Sequence, residues 1–87
     1  MRSTIGGGVP LPRAVRSRIE PAFGTHFGAV RLHTGARAAD LSDRIQAKAF
    51  TTGNDIFFRD GLPDTAASDD QRLLAHELTH ALQQRGA

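Results

Sequence analysis

The chain contains no cysteine, tryptophan or tyrosine, and only one of its 87 residues is methionine. Without cysteine, disulfides cannot reinforce the core and the redox compartment cannot be read. No long apolar run occurs, so no stretch reads as a membrane-spanning helix. Met1 to Pro12 has one early arginine but no apolar segment before Gly6-Gly7-Gly8, which excludes a Sec-type signal and leaves any export to another route. Charge is also nearly balanced: eleven basic residues, ten of them arginine, face nine acidic ones, for a net +2 despite a pI near 10.4. No aromatic residues interleave with a basic stripe, so the arginines read as a solvated surface and nucleic-acid binding is not expected. A chain of this length forms one small domain that buries only about 60% of its unfolded surface. Its core must be thin, and a histidine-ligated zinc ion is one available supplement.

Against this sparse background one motif stands out, His76-Glu77-Leu78-Thr79-His80, which is H-E-x-x-H. On a helix the two histidines share a face about 6 Å apart along the axis, so both can reach one ion. Glu77 lies roughly 100° around the helix from His76, unsuited to be a third ligand but within reach of a bound water. Two imidazole ligands and a carboxylate base are what metal-assisted amide hydrolysis requires. The segment from Ser68 to about Arg85 supports a helix. Ser68 and Gln71 read as a capping box, Asp69 and Asp70 suit the positive helix end, and Leu74, Leu78, Ala81 and Leu82 form an apolar stripe opposite the histidines.

Met1 to Val9 reads as a flexible leader, and residues 10–87 as a single domain. Pro10-Leu11-Pro12 introduces a helix with Val15, Ile19, Ala22 and Phe23 on one face, which Pro21 can kink or end and Gly24 stops. Phe27 to His33 is a candidate strand, and Thr34 is placed to cap a helix from Ala36 to Lys48 along Ala38, Leu41 and Ile45. Ala49 to Arg59 reads as a hairpin turning at Thr52-Gly53-Asn54, with Phe50, Ile56 and Phe58 packing into the sheet. Asp60 to Ala67 is a loop. The fold class is α+β: about three helices on a small sheet of about three strands, ending in the H-E-x-x-H helix.

A catalytic zinc takes three protein ligands, and the motif supplies two. The extended form of the motif is excluded, because Gln83 stands where its glycine would be and Gly86 where its third histidine would be. Nothing acidic follows Glu77. The third ligand must lie upstream, come from another molecule, or lie outside this sequence. Upstream candidates are His26, His33, Asp40, Asp43, Asp55, Asp60 and Asp64. His33 leads, since a strand end can present a side chain rigidly. The plainer reading of His33 is a histidine bonded to a neighbouring carbonyl or carboxylate, and of His26 an exposed loop residue. Asp55 reads as a turn residue beside Asn54, with a weaker role in orienting a histidine. Thr79 reads as bonding back within its helix.

Taken in order, Pro10-Leu11-Pro12, Phe27 to Gly35, Ala49 to Phe58 and Leu73 to Gln84 resemble a bacterial core domain associated with extracellular contractile injection systems. The resemblance runs from about Gly8 to Gln84. It implies a zincin-like metallopeptidase fold, with zinc as cofactor and toxin or injection-system cargo as neighbouring modules. The family's H-E-x-x-H falls on His76, Glu77 and His80, and its Val-Arg-x-His strand motif on Val30, Arg31 and His33. In zincins an edge strand pairs with extended substrate, and Ile56 to Phe58 resembles that strand. The resulting expectation is a zinc metallopeptidase with His76, His80 and His33 as ligands and Glu77 as general base, acting on a peptide or protein substrate, its own parent chain included. The alternative is a zinc-stabilised packaging or interaction module for cargo, without catalysis. A more remote one is a remnant that binds no metal. For location, the resemblance implies the bacterial cytoplasm before loading into an injection system.

Overall fold

A computed structural model of the chain describes residues 8–64 and 66–85. Its elements are β1 (Val9–Pro10), α1 (Arg13–Phe23), β2 (Arg31–His33), α2 (Ala36–Arg44), β3 (Ala49–Thr52), β4 (Asp55–Phe58) and α3 (Ser68–Arg85). The strands form one sheet in the order β1-β2-β4-β3. β2 and β4 are parallel, while β1 and β3 flank them antiparallel. The fold is α+β as expected, with four strands where the sequence suggests three. The extra strand arises because Val9 and Pro10 pair with Leu32 and Arg31. Val9 therefore belongs to the sheet rather than to a leader. The remainder of the expected leader, residues 1–7, lies outside the described residues.

Strand alternation decides what each face of the sheet can do. Leu32, Ile56, Phe58 and Ala49 point to one face, where they join Leu11 and Val15, Phe27 and Val30, and Leu74 and Leu78 of α3 in a single buried cluster. Ile19, Phe23, Leu73 and Leu82 pack around it. His33, Phe57 and Phe50 are in register on the other face, as a row of stacked rings with centroids 4.5 and 4.8 Å apart. Ala38 and Leu41 of α2 share a cavity wall with that row. The sheet thus separates α3 from the His33 side.

Local signals explain most element ends. Gly24, at φ 70°, stops α1 and donates its N–H to the Glu20 carbonyl at 2.8 Å. Pro21 lies inside that helix, close enough to its end that α1 continues only to Phe23. The expected strand from Phe27 is shorter, because Val30 N–H turns back to the Phe27 carbonyl at 3.2 Å and Glu20 takes the Phe27 N–H at 2.7 Å. Thr34 does not cap α2; Gly35 occupies the N-cap position with no side-chain bond. α2 also ends at Arg44 rather than Lys48. Gln46 adopts φ 55°, and Ala47 N–H bonds to the Ser42 carbonyl at 2.9 Å, which turns the chain into β3. α3 has the expected span, but Ser68 is its first helical residue rather than its cap. The turn before it is tied by Asp64 N–H to Asp70 Oδ2 at 2.7 Å and by Gln71 N–H to the Ala67 carbonyl at 2.9 Å. No helix among the described residues is long and apolar enough to cross a membrane.

Candidate metal centre

Leu74, Leu78 and Ala81 bury one side of α3 against the sheet. The side they leave outward carries His76, which is exposed, and His80, whose side chain is 41% exposed. Their rings lie 4.3 Å apart between centroids, one helical turn from each other. Glu77, between them in sequence, turns inward and is only 4% exposed. A buried carboxylate needs a donor, and β3 provides one. Thr51 Oγ1 donates to Glu77 Oε1 at 2.6 Å and lies 3.2 Å from the Glu77 carbonyl oxygen. A hydroxyl has one proton, so the shorter contact to the carboxylate is the dominant bond. Glu77 Oε1 is also 3.7 Å from His80 Nδ1. Thr79 bonds back to the Ala75 carbonyl at 2.9 Å, as its sequence position suggests.

His76, Glu77 and His80 each offer a ligand atom within 4.8 Å of the others, the one cluster of this kind among the described residues. Two imidazoles and a carboxylate suit zinc in kind. The structure does not bring His33 to them. It lies on the opposite face of the sheet because residue 32 points into the core beside α3, and alternation sends residue 33 the other way. There its Nε2 meets Asp55 Oδ1 at 2.8 Å, and its ring stacks on Phe57. Asp55 thus orients a histidine, though not one at the metal cluster. Gly8 covers the other side of the imidazole so closely that a Cβ added there would come within 2.7 Å of His33 Cε1.

The remaining candidates are also placed elsewhere. His26 is 97% exposed, 3.8 Å from Glu20 Oε1. Asp40 pairs with Arg44, Asp60 with Arg59, and Asp64 accepts from Ala66 N–H. Asp43 is an exposed residue of α2.

Sequence reasoning missed two residues at this site, Thr51 and Gln84. Thr51 carries a readable signal: a polar side chain at an inward strand position, opposite Ile56, requires a partner. Gln84 follows His76 and His80 at i+8 on one helix face. Its Nε2 donates to the Thr51 carbonyl at 3.1 Å, and its Oε1 accepts from Gly53 N–H. The strand beside the cluster is β3, at the edge of the sheet; β4 is interior, paired on both sides. The expectation that Ile56 to Phe58 serves as an edge is therefore corrected. Beside His76 a cleft of about 480 Å³ is lined by Lys48, Asp69, Asp70, Arg72 and Leu73.

No curated protein and no solved structure matches the chain. The family model described as the eCIS core domain matches residues 10–87, from β1 through α3. The chain belongs to the eCIS core domain family, whose members are associated with extracellular contractile injection systems.

Proposed function

We propose that this domain is a minimal zinc-dependent peptide hydrolase working with the proteins of a contractile injection system, its own parent chain included. The observation that carries this reading is the placement of His76 and His80 outward and Glu77 inward, with Thr51 fixing the carboxylate. His76 and His80 would hold the ion. When bound, zinc supplies Lewis acidity toward water and a peptide carbonyl. Thr51 holds the carboxylate through Oε1, the oxygen 3.7 Å from His80 Nδ1, and Glu77 would take a proton from water and return it to the leaving amine. The exposed face and the charged cleft beside His76 suit a chain bound along the surface.

A second reading, a zinc-stabilised packaging module without catalysis, draws support from a different observation. Among the described residues the group whose ligand atoms lie within 4.8 Å of one another is limited to His76, His80 and a Glu77 carboxylate already held by Thr51, a carboxylate tied into the fold rather than free for chemistry. The two readings separate on Glu77→Gln. Zinc stoichiometry is measured by competition with a chromophoric chelator, and cleavage is followed on an unfolded protein such as casein. The hydrolase reading expects one zinc in both proteins and cleavage only by the parent. Zinc binding without Glu77-dependent cleavage selects the packaging module, and absence of zinc binding ends both.

A further inference from the structure

The outer edge of β3 is already occupied by a side chain. Arg59 N–H bonds to the Lys48 carbonyl at 2.9 Å, and the hairpin register pairs Phe50 with Phe57 and Thr52 with Asp55. In an antiparallel ladder this directs the backbone groups of residues 48, 50 and 52 toward β4 and those of 49, 51 and 53 outward. The Gln84 carboxamide bridges two of the outward groups, giving a proton to the Thr51 carbonyl and receiving one from Gly53 N–H. A carbonyl at one residue and an N–H two residues later, bridged by a single amide, is how one residue of a parallel strand would sit opposite Thr52. Gln84 therefore stands in for a peptide.

Its position links this edge to the metal cluster. Thr51 sends its hydroxyl to Glu77 and its carbonyl to Gln84. Farther along β3 the outward groups of Ala49 lead toward Lys48, which lines the cleft at His76. A polypeptide paired with β3 would run past His80 and Glu77 into that cleft. Gln84 is exposed, so its two bonds are modest in net strength and can be exchanged for those of an incoming peptide.

We propose that the Gln84 carboxamide is a built-in occupant of the β3 edge, which an extended polypeptide displaces to pair with the strand beside the metal cluster. The inference rests on the peptide-directed reading of that site, and its test uses neither metal nor hydrolysis. Fluorescein-labelled casein, an unfolded polypeptide, is titrated by anisotropy against the metal-free parent, Gln84→Ala and Gln84→Glu, with hydrogen exchange followed at the Gly53 amide. Gln84→Ala is expected to bind casein about ten-fold more tightly, because two hydrogen bonds no longer have to be broken first. Gln84→Glu, which keeps an acceptor for Gly53 but loses the donor to Thr51, falls between. Gly53 exchanges faster in Gln84→Ala and slows again when casein is added. Unchanged casein affinity with unchanged Gly53 exchange overturns the proposal. So does self-association of Gln84→Ala without a gain in casein binding, which would assign the edge to a second copy. Since no cleavage is measured, a failure of the hydrolase reading is scored separately by Glu77→Gln.

Discussion

Thr51→Val removes one hydroxyl and changes little else in shape, yet it is expected to be among the costliest substitutions in the sheet. The hydroxyl is the 2.6 Å donor to a carboxylate that is 4% exposed. A hydrogen bond to a charged group contributes about 1.5–3 kcal/mol, and an abandoned buried acceptor keeps its desolvation cost. A loss near 2 kcal/mol is large for a domain of this length, whose whole stability is of order 4–13 kcal/mol. It corresponds to a fall in Tm of roughly 8–16 °C. Urea denaturation of the metal-free protein measures it directly, and a double-mutant cycle with Glu77→Met isolates the pair. If the bond is what makes Glu77 tolerable in the interior, the double variant loses much less than the two single losses combined, because replacing both partners by apolar groups leaves nothing unsatisfied. Thr51→Ser, which retains the hydroxyl, stays close to the parent. A Thr51→Val loss below about 0.5 kcal/mol, or strict additivity in the cycle, would refute the reasoning and place Glu77 in contact with water instead.

Two further substitutions test the division of the sheet into two faces. His33→Ala is expected to leave zinc affinity unchanged in chelator competition while lowering stability, since the imidazole joins Asp55, Phe57 and Gly8 on the side away from α3. A loss of affinity beyond about ten-fold would bring His33 back to the metal. Leu78→Ala, at a fully buried position beneath the H-E-x-x-H turn, should cost about 2–5 kcal/mol by chemical denaturation, and a much smaller loss would mean that α3 is not anchored through this residue.

How far the sequence alone reaches can be seen residue by residue. The span of α3 was legible because its apolar stripe repeats at helical spacing and its first turn is acidic. The hairpin is legible from the turn residues between β-rich segments, although Thr52, expected in the turn, is the last residue of β3 and pairs with Asp55. The sequence pattern carries α2 past its end at Arg44 because that end depends on Gln46 at positive φ, a conformation that its residue type does not announce. β1 was missed because two residues next to a glycine run carry no periodicity and become a strand only through pairing with β2. At the site, the pentapeptide fixed three neighbours on one helix. The structure places His33 apart from them for a long-range reason: whether a strand residue faces a given helix depends on register and on which face that helix covers. The roles of Thr51 and Gln84 likewise exist only once β3 lies along α3.

The geometry of the motif itself explains why the centre sits at an edge. Residues i and i+4 of a helix share a face, while residue i+1 points about 100° away. If His76 and His80 look outward, Glu77 must look toward whatever flanks the helix. In the middle of the sheet's apolar face that neighbour would be Ile56 or Phe58, and the carboxylate would be stranded in the core. Only beside β3, where Thr51 offers a hydroxyl, can it be buried and bonded at once. Placing the helix there has two further consequences. The outward backbone groups of an edge strand come within reach of the same helix, as the Gln84 bonds to Thr51 and Gly53 show, and a cleft opens beside His76. A chain of 87 residues thereby brings a hydrogen-bonded carboxylate, two imidazoles and a strand edge together without building a deep pocket, with a cleft open beside His76.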